Sequence, residues 1–149
     1  MEKSWLAGFI DGEGYIGITF QRKKETKQSA PSPRYHPFLI IVNTNKEVLL
    51  HIKELIGEGR LYTLNKGLGK SKKSYQYKLT KMSTLLEVLE GILPYLKIKK
   101  KQCELLINFI KRRKSIKPIT GRGYRGVTSF NNDDEGIYRL LLSLNKKGN

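Results

Sequence analysis

Cysteine occurs once in these 149 residues, at Cys103, and histidine twice, at His36 and His51. One thiol makes neither an intrachain disulfide nor a multi-cysteine zinc site, and the two histidines form no metal-binding pattern. Cys103 stands beside Leu105, Leu106 and Ile107, a setting that reads as a buried structural thiol. No apolar run approaches the roughly 20 residues needed to span a bilayer, so no membrane partner is expected. The first residues lack the basic-then-apolar order of a secretory signal. The expectation is an intracellular protein, in the cytoplasm or nucleoid of a prokaryote or in an organelle. Ser-His-Asp and Walker-type arrangements are missing too. Acidic residues are scarce: 13 Asp and Glu stand against 29 Lys and Arg, a formal net charge of +16. Such a surplus draws polyanions, nucleic acid first. A length of 149 residues and 38% hydrophobic content suit one folded domain.

Hydrophobic periodicity lays out the elements. Residues 4–12 read as a short helix with Ser4 as N-cap. From Gly14 to Lys23 the period becomes two, with Ile16, Ile18 and Phe20 on a buried face and Tyr15, Thr19, Gln21 and Lys23 on a polar one. Residues 22–37, basic and carrying Pro31, Pro33 and Pro37, read as a hairpin loop, followed by a strand from Phe38 to Val42. Asn45 caps a helix with Val48, Leu49, Ile52, Leu55 and Ile56 at helical spacing, stopped by Gly57. A second hairpin joins Arg60–Leu64 to Ser74–Thr80. Leu85, Leu86, Leu89, Ile92 and Leu93 form a further helix ending at Pro94, and Lys100 to Lys114 form another. A short helix around Ile137 to Leu144 closes the chain. The expected fold class is α+β, an αββαββα order with a saddle-like antiparallel sheet backed by helices, plus a C-terminal helical extension. Residues 1–114 would be the core and 115–149 an extension of the same domain.

The segment Leu6-Ala7-Gly8-Phe9-Ile10-Asp11-Gly12-Glu13-Gly14 has its own physical logic. Ser4, Gly8 and Gly12 fall at i, i+4, i+8, a stripe of small residues that lets two helix backbones approach closely. Interior glycines cost a helix about 1 kcal/mol each relative to alanine, which close packing would offset. The motif occurs once, so its packing partner is the same helix of a second chain, and a two-fold homodimer is expected through Ser4, Gly8 and Gly12. Trp5, Leu6, Phe9 and Ile10 would anchor the other faces in the core. Asp11 and Glu13 stand at the helix C-terminus, where the dipole disfavours anions. Two such ends brought together call for cations between them, and hard divalent ions take oxygen ligands.

This nonapeptide resembles the signature of the LAGLIDADG homing endonucleases, coinciding at Leu6, Ala7, Gly8, Ile10, Asp11 and Gly14 and departing at Phe9, Gly12 and Glu13. The resemblance extends over roughly Trp5 to Lys114 and is of the single-motif, homodimeric type. It implies site-specific, metal-dependent cleavage of double-stranded DNA across the minor groove of a long pseudo-palindromic target, leaving 3′ overhangs. By the same resemblance Glu13 is the metal ligand, with Gly12 beside it, for Mg²⁺ or Mn²⁺, while Asp11 is structural. The family's polar residue at the end of the second strand maps to Asn43, with Asn45 competing. Its active-site lysine maps to Lys99 in Pro94-Tyr95-Leu96-Lys97-Ile98-Lys99, with Lys97 as the alternative.

The outward strand residues Tyr15, Thr19, Gln21, Lys23, Arg34, His36, Arg60, Tyr62, Ser74, Gln76 and Lys78 would read bases in the major groove, where Arg and Lys match guanine and Gln matches adenine. Lysines of loop 65–73, the run Lys111-Arg112-Arg113-Lys114, and Arg122 and Arg125 would take phosphates. Two other readings compete: a maturase that binds intron RNA, and a non-cleaving DNA-binding regulator.

Overall fold

A computed structural model describes residues 2–22, 33–65, 69, 72–116, 120–121, 124–125 and 132–147. The first helix, α1 (Lys3–Glu13), begins one residue before Ser4; Glu2 stands at its N-cap and no side chain caps it. Ser4 is therefore a helical residue and not the cap. Leu6, Ala7, Ile10 and Asp11 form the buried stripe of α1. Its end is abrupt because Gly14 turns into an extended conformation. A Cβ there would lie 2.7 Å from the Ile10 carbonyl oxygen, so the last motif residue has to be glycine.

Strand β1 (Gly14–Arg22) pairs antiparallel with β2 (Pro33–Asn43), with Gly14 opposite Ile41 and Arg22 opposite Pro33. Residues 33–37 thus belong to the strand, where the prolines had suggested loop. Proline lacks the N–H a central ladder needs, and β2 tolerates it because β4 pairs only from Leu39 onward and, among the described residues, no other strand flanks 33–37. Helix α2 (Lys46–Ile56) starts as expected: Asn45 Oδ1 accepts the N–H groups of Glu47 and Val48 at 3.0 and 3.4 Å. Gly57, at φ 76°, ends it in the left-handed conformation.

Strands β3 (Arg60–Asn65) and β4 (Ser74–Leu79) form the second hairpin, and β4 pairs with β2 only over Leu39–Asn43. The sheet order is β1-β2-β4-β3. Helix α3 (Met82–Ile92) runs into a 3₁₀ turn at Leu93–Tyr95 containing Pro94, and α4 (Lys100–Ser115) follows. Two short strands, β5 (Thr120–Gly121) and β6 (Tyr124–Arg125), pair with each other; the sequence reading had no strand there. Helix α5 (Asn132–Lys147) is longer than the anticipated segment around Ile137 to Leu144.

The helices lie on one side of the sheet. Ile16, Ile18, Leu39, Ile41, Tyr77 and Leu79 meet Leu6, Ile10, Leu49, Ile52, Leu85, Leu89 and Leu106 in one core that also takes in Leu141 of α5. Each such fully buried side chain stabilises the fold by about 1.5–3 kcal/mol. Cys103 is buried as expected, its thiol donating to the Leu89 carbonyl at 3.5 Å, and burial raises its pKa to about 12. Two aromatic expectations fail. Trp5 is 38% exposed, resting on Phe9 and against the edge of His51, and Phe20 is 41% exposed, because each lies beyond the rim of the core. Among the described residues no helix is long and apolar enough to cross a membrane.

Candidate active site and nucleic-acid interface

The end of α1 is fixed by Asp11. Although nearly buried, its carboxylate is fully used: Oδ2 accepts the Lys97 N–H at 2.7 Å and Oδ1 the Lys99 N–H at 2.9 Å. Burial by itself would raise the Asp11 pKa. The N–H groups of Lys97, Lys99 and Ile98 and the Lys99 charge outweigh it and hold the carboxyl below its ordinary 3.8. Asp11 therefore ties segment 96–99 to the motif helix, and both its oxygens are occupied.

That tie brings the Lys99 ammonium to the end of α1, where it donates to the Asp11 carbonyl oxygen. Burial lowers the Lys99 pKa from 10.5, against the charges of Asp11 and Glu13, which raise it. Lys99 also starts α4, its carbonyl accepting the Cys103 N–H at 3.0 Å. Lys97 gives Asp11 its backbone N–H, and its side chain is exposed. Glu13, the last helical residue, is exposed at the same end of the helix. Gly12 precedes it, among the last carbonyls of α1, which a helix of this length leaves without intrahelical donors.

Asn43 lies two residues beyond Ile41, the partner of Gly14, and so at the end of the sheet where α1 terminates. Its Oδ1 accepts the Asn45 N–H at 2.8 Å, while Asn45 caps α2. The two asparagines have different jobs. Among the described residues the end of α1 carries an exposed carboxylate and helix-end carbonyls, oxygen groups that suit a hard divalent cation. Among the described residues no three His, Cys, Asp or Glu side chains converge.

The outward sheet face follows from the register. Thr19 stands opposite His36, Gln21 opposite Arg34, and across the other hairpin Arg60 pairs with Lys78 and Tyr62 with Gln76. Tyr15, Thr19, Gln21, Arg34, His36, Arg60, Tyr62, Gln76 and Lys78 therefore share the side away from the helices. Ser74 lies beside a register shift opposite Asn65, and Lys23 falls outside the described residues. Sequence reasoning missed the apolar centre of this face. Phe38 lies over Gly17, stacks on Tyr15 at 5.4 Å and carries the Lys78 ammonium 6.0 Å from its ring centre; Ile40 and Val42 continue the strip. The continuous run Phe38–Val42 had concealed which of its members point outward.

The basic run 111–114 does not stay together. Arg113 is buried and Arg112 largely so; both engage the fully buried Asp134, and Arg112 also meets Asp133 at 3.3 Å. Lys111 pairs with Glu90 at 2.8 Å. The two arginines are thus internal fastenings for α5 and not phosphate contacts. The side chains of Arg122 and Arg125 lie outside the described residues, as do those of Lys66 and Lys70; Lys72 and Lys73 are exposed.

Ser4, Gly8 and Gly12 are all exposed, on the side of α1 away from Leu6, Ala7 and Ile10. A Cβ added at Gly8 or Gly12 would meet nothing within 4 Å in the protomer.

Comparison with known proteins places this geometry. The family profile described as LAGLIDADG endonuclease matches residues 6–111. The chain is 27% identical over 109 residues to the DNA endonuclease I-CvuI of Chlorella vulgaris, covering 73% of this chain and 63% of that protein; the match thus spans less than two thirds of that relative. A crystal structure of I-CvuI bound to the I-CreI target with magnesium superposes with a TM-score of 0.63 at 22% identity, over 99% of this chain and 79% of that one. The archaeal intron-encoded homing endonuclease I-Vdi141I in complex with DNA gives 0.63 at 17% identity, over 97% of each chain. At these identities the likeness establishes the fold. Together with the profile match across most of its length, it means that this chain belongs to the LAGLIDADG endonuclease family.

Proposed function

We propose that the protein is a site-specific double-strand DNA endonuclease that acts as a homodimer on a long pseudo-palindromic target and leaves 3′ overhangs. The observation that carries this reading is the placement of Lys99, tied to Asp11, beside Glu13 at the end of α1. Residues 1–114 form the nuclease core, and 115–149 belong to the same domain. Each protomer would read one half-site with its sheet, and the paired α1 helices would stand over the central minor groove.

Glu13, with the Gly12 carbonyl beside it, would hold Mg²⁺ or Mn²⁺, and such an ion, when bound, activates water and neutralises charge on the phosphate. The chain's own residues do the rest. Lys99 places a cation where the phosphate gains negative charge. Asn43, one carbonyl lone pair engaged by Asn45, orients water at the end of β2. The Gly8 and Gly12 faces set how closely the two sites approach. The outward strand residues read bases, while Lys72 and Lys73 take phosphates.

The test uses a plasmid library with randomised inserts and Mg²⁺, comparing wild type with Glu13→Gln. Wild type should linearise a subset sharing a two-fold motif, with 3′ overhangs at the sequenced ends. Glu13→Gln should bind the same motif and cut at least about a hundredfold more slowly. Absence of cleavage by either form, together with tight binding of intron RNA, would replace this reading with the maturase.

A further inference from the structure

From Phe38 back to Pro33 the β1–β2 pair extends past β4. Strand β4 stops at Leu79 opposite Leu39, so from Gly17 and Phe38 outward the two strands form a ribbon with no third strand beside it among the described residues. A two-stranded ribbon is marginally stable alone and twists more than a wide sheet. Yet this ribbon carries Thr19, Gln21, Arg34 and His36 on its outward face.

Helix α5 packs against its opposite face. Phe20 and Tyr35 are register partners, and Tyr138 of α5 completes a three-ring cluster with them: 5.3 Å between Phe20 and Tyr35, 5.8 Å from Phe20 to Tyr138, and 5.5 Å from Tyr35 to Tyr138. Tyr35 is buried while Phe20 is half-exposed, so the cluster is a local clasp at the margin of the core. Helix α5 is itself anchored at both ends. Its first turn docks Asp134 between Arg112 and Arg113 of α4, and near its other end the Asn145 side-chain amide donates to the Ile16 carbonyl of the edge strand β1 at 3.0 Å.

We propose that α5 is a positioning element for DNA specificity, and that Tyr138 sets the pitch of the β1–β2 ribbon and hence where Thr19, Gln21, Arg34 and His36 meet the bases. The proposal rests on the nuclease reading for its consequence in DNA recognition, but its mechanical part is independent of DNA. Ring contacts are stiff and directional. Losing one lets the ribbon twist relative to β3 and β4, whose own base-reading residues are supported by a neighbouring strand.

Tyr138→Ala and Tyr138→Phe separate this role from general stability. In the free protein, Tyr138→Ala should raise hydrogen exchange at the backbone amides of 18–22 and 34–36 by about tenfold or more. Exchange in β3, β4 and α4 should stay at wild-type rates, and Tyr138→Phe, which keeps the ring, should restore the ribbon. On DNA, Tyr138→Ala should lose about tenfold discrimination at the outer base pairs of the half-site, with discrimination at pairs read by Arg60, Tyr62, Gln76 and Lys78 unchanged. Unchanged ribbon exchange, or an equal rise throughout the protein that Tyr138→Leu also gives, overturns the proposal. If the ribbon loosens alone but wild type binds no duplex, the positioning of the ribbon stands and the nuclease reading fails.

Discussion

Asp11 shows how much of the end of α1 depends on the hydrogen bonds of one side chain. Its two oxygens accept two N–H groups from a segment more than eighty residues away in sequence. Asparagine at this position keeps one acceptor and turns an NH₂ toward the other donor. Asp11→Asn should therefore lose about 1–3 kcal/mol at pH 7, measured by urea unfolding. The depressed folded-state pKa gives the sign with pH. This stability is present above the unfolded value near 3.8 and is lost as pH falls through the lower folded pKa. The gap between wild type and variant should therefore close toward pH 2, and a gap unchanged with pH would refute the assignment. Cys103 supplies a second test. Its thiol is fully buried with a pKa near 12, so iodoacetamide at pH 8 should modify it only as fast as the protein opens. On the sheet, Ile40 is the apolar member nearest Lys78 and Tyr15 by register. Ile40→Gln should shift preference at one base pair from thymine, whose methyl an apolar side chain favours, toward adenine, which glutamine matches. Target-library cleavage reads this directly.

Among the elements, α5 departs furthest from what the sequence conveys. Its charges sit where local rules place them, with Asp133, Asp134 and Glu135 in the first turn. Their partners, Arg112 and Arg113, stand in a run that looks like a solvated basic patch until the fold closes. Long-range pairing of this kind leaves no periodic trace. Replacing Asp134 by Ala removes the carboxylate that both guanidiniums share and should cost about 3 kcal/mol by urea unfolding, with exchange rising first in α5. The strands were legible where alternation was clean, as in β1, and obscure where a continuous apolar run masked the two faces of β2. The prolines misplaced the start of β2 for a related reason: whether a strand tolerates proline depends on its neighbour, and β4 happens to end early. The motif helix was legible in its extent and in its buried Leu6 and Ile10, but the steric need for Gly14, whose added Cβ would strike the Ile10 carbonyl, shows only once the helix turns into β1. The fastening of Lys99 to Asp11 was half-visible: the residues could be named, but the hydrogen bonds that unite them cross the whole chain.

For the molecule as a whole, the surplus of +16 is spread unevenly once the internal pairs of Arg112 and Arg113 are set aside. The basic groups of the sheet face and of the loop before β4 remain for a polyanion, and DNA affinity should fall steeply with salt, the slope reporting the number of phosphates engaged. The homodimer can be tested without DNA. A Cβ at Gly8 meets nothing within 4 Å and the residue is exposed, so Gly8→Leu should leave the circular dichroism spectrum intact while sedimentation shows monomers. A dimer that persists would move the interface elsewhere. One consequence of the motif helix extends further. Gly8, Gly12 and Glu13 ride on a single rod that rises about 1.5 Å per residue, so in the proposed pairing the contact surface and the two acids cannot be adjusted separately. The helix acts as a gauge block: a slip of one turn along the seam would reset the separation of the two carboxylates by several ångströms, and with it the stagger of the cut. The length of the overhang would then be a property of how two helices fit together, decided before any DNA arrives.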